Sequence, residues 1–417
     1  MRFDRNNLRK VLRSPLLAVG AIASVFVPRG PERWVCASGI GYGEGAVALA
    51  HAARADGRRV TWLCRTEAGL VAARNAGFPA SRNSGIAGWW TTLRAGTVVV
   101  THGLGDANPY ALRGARIVQL WHGVPLKHLH RDAGVTYSLP QFPGSRWAER
   151  MLRAGSERAY TRITHFVAAS AESGRRLTSA FGLRPDQLLV TGDPRDDVLL
   201  QGEQDAKRED ARAHLEHVLG ARLEETVVLF APTWRDGEPD PVVPTQAEWG
   251  MLERLAAELK LSIIIRPHPL AVGAYREGMG QRSALHMLEV TLQPDITPVL
   301  PAVDVLITDY SSIAYDFSLL GRPMLYLAPD LEAYAASRGF YEAIEVFCGG
   351  LPARSWSGVA EQLRSLAAVP SETLDASIRH ARETAHRVHD FHDGRNTERV
   401  MARLMAGEKH RRAPAGS

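Results

Sequence analysis

The sequence predicts an α/β fold built from two doubly wound domains. Short apolar runs rich in Val and Ile alternate almost throughout with longer segments of helical period, the pattern of parallel strands joined by helical crossovers. The chain has 417 residues, enough for two domains at roughly 100–200 residues each. A charge-dense stretch at 201–222 interrupts the series of strands and marks the expected boundary.

Composition narrows the function classes. Apolar residues make up 45% and charged residues 23%, which excludes a disordered or fibrous chain. Fifty basic against 45 acidic residues leave a net charge of only +5, so nucleic acid is not an expected partner. Cys36, Cys64 and Cys348 are odd in number and far apart, which excludes a disulfide framework or a paired-cysteine metal knuckle and fits a reducing compartment.

The first element is basic, then apolar. Arg2, Arg5, Arg9, Lys10 and Arg13 precede the apolar stretch between Pro15 and Pro28, which is too short to span a bilayer. Val25-Phe26-Val27-Pro28 offers no small-x-small cleavage site, so a removed signal is not expected. Two readings stand: a helix lying on an anionic membrane surface, or a first helix packed on its own domain. The expected division is 1–30 as a membrane-surface helix, 31–205 as the first domain and 206–417 as the second.

In the first domain strands are expected at 34–38, 59–64, 97–101, 117–120, 166–168 and 188–191, with helices at 44–55, 67–76 and 171–181. Ser170 stands between a strand and a helix as an N-cap. The second domain restarts the pattern at 227–230, 262–265, 290–292, 305–308 and 324–327. Open parallel sheets bind ligands beyond the carboxyl ends of their strands, so the residues that follow these strands are the candidates for chemistry.

After 117–120 come Trp121, His122, Gly123, Val124, Pro125, Leu126 and Lys127, an imidazole on a Gly-Pro turn that could act as a base near neutral pH. Thr233, Trp234 and Arg235 follow 227–230 and offer a hydroxyl, an aromatic face and a guanidinium. Arg266 and His268 follow 262–265, the histidine held between two prolines. Thr308, Asp309, Ser311 and Ser312 run from a strand into a helix, where hydroxyls and free N–H groups suit an anion, or where Asp and Ser serve only as caps. His386, His389 and His392 are three apart without a strand-end context, which reads as a polar helix end rather than a metal site. The glycine run 39–45 does not match the dinucleotide-binding spacing and reads as a tight turn.

Taken together, Trp-His-Gly-Val-Pro-Leu-Lys at 121–127, Gly-Asp-Pro-Arg-Asp-Asp at 192–197, Ala-Pro-Thr-Trp-Arg-Asp at 231–236, Arg-Pro-His-Pro at 266–269 and Thr-Asp-Tyr-Ser-Ser-Ile-Ala-Tyr-Asp-Phe at 308–317 resemble the CDP-glycerol glycerophosphotransferase family of teichoic-acid primases and polymerases. The likeness continues through Asp393-Gly394-Arg395-Asn396-Thr397-Glu398-Arg399 and covers about 117–404.

The resemblance implies a GT-B-like fold, two Rossmann-like domains facing a cleft, with the donor on the C-terminal one and peripheral attachment to the inner, cytoplasmic face of the cell membrane. It implies transfer of an alditol phosphate from CDP-glycerol or CDP-ribitol to a lipid-linked or polymer hydroxyl acceptor, with release of CMP; no cofactor is expected, and no metal, since the clusters offer Arg, His and hydroxyl groups but no grouping of carboxylates. His122 and His268 are then the catalytic candidates. Thr233, Arg235, Arg266, Thr308, Asp309, Ser311 and Ser312 fall on the donor, and Trp121, Gly123 and Lys127 on the acceptor side. Val124 stands where the family usually has Thr. The competing readings are a GT-B glycosyltransferase using a nucleotide sugar, whose chemistry commonly uses a carboxylate base rather than two histidines, and a non-catalytic scaffold at a membrane surface.

Overall fold

The computed structural model describes residues 15–133, 145–235, 240–280 and 282–412. The basic residues before Pro15, and Asp236, lie outside the described residues. The chain divides into two units. One holds the described residues up to His122, Leu129–Asp197 and those from Asp393 onward; the other holds Gly123–His128 and Val198–His392.

The first unit is built on seven parallel strands: β1 (Gly30–Ala37), β2 (Arg59–Cys64), β3 (Ala80–Arg82), β4 (Ala95–Val100), β5 (Arg116–Gln119), β6 (His165–Ala168) and β7 (Leu188–Val190). Their order is β3-β2-β1-β4-β5-β6-β7. A parallel sheet is covered on both faces, so adjacent residues of one strand serve different cores. On β1, Trp34 and Cys36 pack with Leu49 and Trp62, while Val35 and Ala37 pack with Val98, Phe166 and Phe181. The helix Ala171–Phe181 begins where Ser170 accepts the Ser173 N–H at 3.0 Å and ends on Gly182 in the left-handed conformation.

The second unit carries β8 (Thr226–Ala231), β9 (Leu261–Ile265), β10 (Leu285–Met287), β11 (Val305–Thr308) and β12 (Met324–Tyr326), all parallel in the order β10-β9-β8-β11-β12. Val228, Phe230, Ile263, Ile265 and Ile307 meet Trp249 and Trp356 in its core. The α/β class and the paired doubly wound sheets are as the sequence predicts.

One expected strand differs from the structure. The strand expected at 290–292 is a turn in which the Leu292 and Gln293 N–H groups donate to the Glu289 carbonyl. The edge strand lies earlier, at Leu285–Met287, and has no apolar run to announce it. The charged stretch at 201–222, read as a linker plus a solvated helix, forms the helix Gln204–Leu219, which buries Ala211 and Leu215 and pairs Arg208 with Asp304 at 2.7 Å. That helix belongs to the second unit, which resumes at Val198.

The end of the chain also returns to the first unit. The Asp197 carboxylate accepts the N–H groups of Asn396 and Thr397 at 2.9 and 2.8 Å, capping the helix Asn396–Arg412, and Asn396 Nδ2 donates to the Asp193 carbonyl at 3.0 Å. The stretches at 192–197 and 393–399 thus hold each other in place.

The helix Pro15–Phe26 rests on the first unit through Gly20, whose backbone meets the Tyr110 carbonyl with no room for a side chain. Its other face is open, with Ile22, Val25 and Phe26 63%, 75% and 79% exposed. Among the described residues no helix is long and apolar enough to cross a membrane.

Candidate active site

In each sheet the strand order reverses at one point, and ligands of such sheets bind beyond the strand ends there. The reversal lies between β1 and β4 in the first unit and between β8 and β11 in the second. The sequence candidates gather at these two places.

In the first unit β5 runs into Trp121 and His122. Trp121 has φ 67°, a left-handed conformation costly for a bulky residue, and its buried ring is held against Phe166 and Phe181. The next ring, His122, lies with Nδ1 3.5 Å from the Thr101 carbonyl and stacks on His102 at 4.2 Å with only 5° between the planes. Burial pulls the His122 imidazole down to about 3, and the charge of His102 pushes the same way, so the ring is neutral near pH 7. A neutral imidazole has a lone pair for a proton, and an anion bound beside it would raise its affinity for one.

The loop after β4 is pinned by Asp106, which accepts the N–H groups of Thr101, His102 and Gly103 at 3.2, 2.7 and 3.2 Å and pairs with Arg65 at 2.9 Å. Gly39, in the glycine run after β1, leaves room for His102: a Cβ there would stand 2.5 Å from the ring. Sequence reasoning missed Glu44 and His102. Their signal was positional, since they follow the two strands that flank the reversal, whereas attention to glycine spacing pointed elsewhere.

In the second unit the Asp309 carboxylate accepts the Thr233 N–H at 2.9 Å and the Thr233 hydroxyl at 2.8 Å, tying the loop after β8 to the loop after β11. Arg235 donates to Asp309 at 2.7 Å and to both oxygens of Asp330 at 2.8 and 3.0 Å, and lies over the Tyr310 and Tyr334 rings. Only 6% exposed, this guanidinium is engaged by two carboxylates and frames the site. Thr308 donates its buried hydroxyl to the Ala231 carbonyl at 2.6 Å. Arg266 donates to the carbonyls of Gln293 and Pro294 at 2.7 and 3.0 Å, and burial lowers it to about 10.

The groups that face outward are different ones. Ser311 and Ser312 are half-buried ahead of the short helix Ile313–Ser318, and the Ser312 hydroxyl makes no cap bond. His268 is exposed, stacks on Trp234 at 5.3 Å, and accepts the Leu270 N–H on Nδ1 at 3.3 Å, which puts the proton of the neutral ring on Nε2.

Lys127 belongs with these. The segment Gly123–His128 joins the second unit, bound by the His128 N–H to the Gly339 carbonyl and by the Tyr341 N–H to the Leu126 carbonyl. The motif at 121–127 is therefore divided, Trp121 and His122 lying in one unit and Gly123 and Lys127 in the other. Lys127, expected on the acceptor side, lies half-buried near Asp309 and the Tyr334 ring. Burial lowers its ammonium to about 8, with Asp309 opposing the fall and Arg338 and Arg235 deepening it. Val124 is buried, only 1% exposed.

In the tail, His389 Nε2 lies 3.1 Å from the Tyr315 carbonyl and His392 Nε2 lies 3.0 Å from the His389 carbonyl. Among the described residues no group of three or more His, Cys, Asp or Glu could hold a metal ion.

Residues 36–406 match the model of the family described as CDP-Glycerol:Poly(glycerophosphate) glycerophosphotransferase. A teichoic acid poly(glycerol phosphate) polymerase of Staphylococcus epidermidis is 30% identical over 268 residues, covering 62% of this chain and 35% of the relative. A teichoic acid ribitol-phosphate polymerase, TarK, of Staphylococcus aureus is 25% identical over 291 residues, covering 69% and 52%. The chain thus spans about half, or less, of the length of these relatives. A solved structure of the wall teichoic acid polymerase TagF shares the fold, with a TM-score of 0.77 at 20% identity over 98% of both chains. The family match runs from the end of β1 through the second sheet and takes in every strand-end candidate above, and the chain belongs to the CDP-glycerol:poly(glycerophosphate) glycerophosphotransferase family.

Proposed function

We propose that this chain transfers an alditol phosphate, glycerol phosphate first among them, from a CDP-alditol to a hydroxyl acceptor with release of CMP, extending a teichoic-acid-like or capsular polymer. The observation that carries this reading is the placement of His122 at the end of β5, against the Thr101 carbonyl and the His102 ring, in a family whose model spans residues 36–406. The acceptor hydroxyl gives its proton to His122 as its oxygen bonds to the alcohol-bearing phosphorus. The bond from that phosphorus to the bridging oxygen breaks, and CMP leaves with the electron pair.

Lys127 as a cation and the Nε2–H of His268 offset the charge that grows on the leaving phosphate, with Ser311 and Ser312 as further donors. Arg235, Asp309, Asp330 and Thr233 form the frame that fixes the two loops. Thr308 and Arg266 act through the backbone they bind. The exposed apolar face of the helix Pro15–Phe26 supports docking on the inner face of an anionic membrane, where a lipid-linked acceptor would be met.

The test is a donor screen read by nucleotide release. CMP should appear with CDP-glycerol or CDP-ribitol, and UDP release from a nucleotide sugar without CMP from either would overturn the reading. The relatives' names include both alcohols, so the two donors are compared at equal concentration. His122→Ala should keep CDP-glycerol binding while losing about 10²–10⁴-fold in transfer, whereas His268→Ala should weaken binding as well.

A further inference from the structure

The first unit contains a second imidazole and a carboxylate that the reaction above does not use. Both stand at the reversal of strand order, Glu44 in the loop after β1 and His102 directly after β4. Glu44 is held in a backbone conformation suited to glycine, φ 60° and ψ −166°. It precedes the helix Gly45–Ala55 yet does not cap it with its side chain. Its carboxylate turns instead to Ser38, whose hydroxyl donates at 2.6 Å, and to His102 Nδ1 at 3.4 Å. The Glu44 side chain is 8% exposed.

Thr101 completes the network, its hydroxyl 3.1 Å from Ser38 Oγ and 3.0 Å from His102 Nδ1. A strained backbone that aims a buried carboxylate at one imidazole is a feature to be explained by what that imidazole does. His102 in turn lies face to face with His122, near-parallel at 4.2 Å. The charged groups that face this pair are Glu44, Asp106, Arg65 and Arg195.

We propose that Glu44 and His102 are positioning residues for His122: the carboxylate holds His102 as an imidazolium, and that ring, stacked on the second, fixes its plane and keeps it uncharged as the proton acceptor. This deepens the reading of His122 as the base and rests on it. Two stacked imidazoles cannot both carry charge cheaply in a partly dry site, and the carboxylate decides which one does. The directions of proton affinity agree. Burial alone would lower His102, yet the hydrogen bond and charge of Glu44, with Asp106, raise it, while His122 is pushed down. For Glu44, burial would raise the carboxyl, but the bond to His102 and its charge carry it down to about 2. These directions place the shared proton on His102 in preference to His122 and leave Glu44 as the carboxylate.

The experiment is a pH titration of the histidine Cε1–H signals by NMR on the full chain, with His102 and His122 assigned by substitution. In the wild type His102 should titrate above the ordinary value of about 6.5, and His122 should stay uncharged to below about pH 5. In the double variant Glu44→Gln/His102→Phe, which keeps a flat ring in the stack but removes the charge pair, the His122 midpoint should rise by about one pH unit or more. The acid limb of kcat/KM for CDP-glycerol should move with it, an effect a purely structural role would not produce. An uncharged His102 at pH 6 in the wild type, or an unmoved His122 midpoint in a folded variant, overturns the inference. If the variant does not fold, the wild-type titration decides alone. His122→Ala separates the two levels: lost transfer in that variant, together with an unmoved His122 midpoint in the double variant, leaves the base in place without its positioning pair, and transfer by His122→Ala at the wild-type rate removes the base and the pair's role together.

Discussion

At the scale of single residues, the side chains whose type is most suggestive are often those already engaged by the fold. Arg235 and Arg266 look like phosphate ligands in the sequence, yet one faces two carboxylates and the other two backbone carbonyls. The positive charge less enclosed by partners is Lys127, and its ammonium titrates at about 8. A lysine with a lowered value loses its charge as pH rises through that value, so its help to the donor phosphates is present below about 8 and fades above it. The kcat/KM for CDP-glycerol should therefore fall on a basic limb near pH 8, carried mainly by the donor KM. Lys127→Arg, which stays protonated, should abolish that limb, and a limb unchanged in the variant would assign it to another group.

At the scale of elements, the interior strands were legible in the sequence because a strand buried on both faces must be a continuous apolar run. Val305–Thr308 and Thr226–Ala231 are such runs. The three-residue edge strands Ala80–Arg82 and Leu285–Met287 were not legible, since Ala-Ser-Arg and Leu-His-Met hold no apolar run, whereas the edge strand Leu188–Val190 was. The helix Gln204–Leu219 was legible as a solvated helix from its dense charge, although its inner side, which buries Ala211 and Leu215, was not. His122 was legible because it directly follows an apolar strand. Glu44 was not, because its place depends on a backbone conformation and on His102 arriving from another strand.

The junction of the β8 and β11 loops carries a prediction of its own. Breaking a buried ion pair by removing one partner leaves the other charge without compensation, at a cost of about 3–5 kcal/mol. Arg235→Ala strands Asp309, whose side chain is fully buried, together with Asp330. Urea unfolding should report a loss of that order, larger than for Asp330→Asn, whose position is partly open to solvent. A loss below about 1 kcal/mol would mean that the frame is redundant and that Arg235 is free to serve the donor directly.

At the scale of the whole molecule, the unexplained surface is the first helix. Its two sides do different work: Gly20 seats it on the Tyr110 carbonyl, and Arg29, just beyond its end, donates to the carbonyls of Thr92 and Ala95 at 2.8 and 2.6 Å. A helix serving only as core would turn its largest apolar groups inward, yet Ile22, Val25 and Phe26 point out. Each such side chain gains about 1.5–3 kcal/mol on full burial, and each basic residue near anionic lipid adds about 1 kcal/mol. Ile22→Glu/Phe26→Glu should therefore reduce co-sedimentation with phosphatidylglycerol vesicles at least about tenfold, because it removes two apolar anchors and adds two repelled charges. Neither residue touches the strand-end groups, so CMP release with a water-soluble acceptor should persist while release with a vesicle-embedded acceptor falls. Raised salt should weaken the wild-type binding only in part, since the apolar share is not screened. Vesicle binding unchanged by the double substitution would assign this face to packing and leave the acceptor to be reached by another surface.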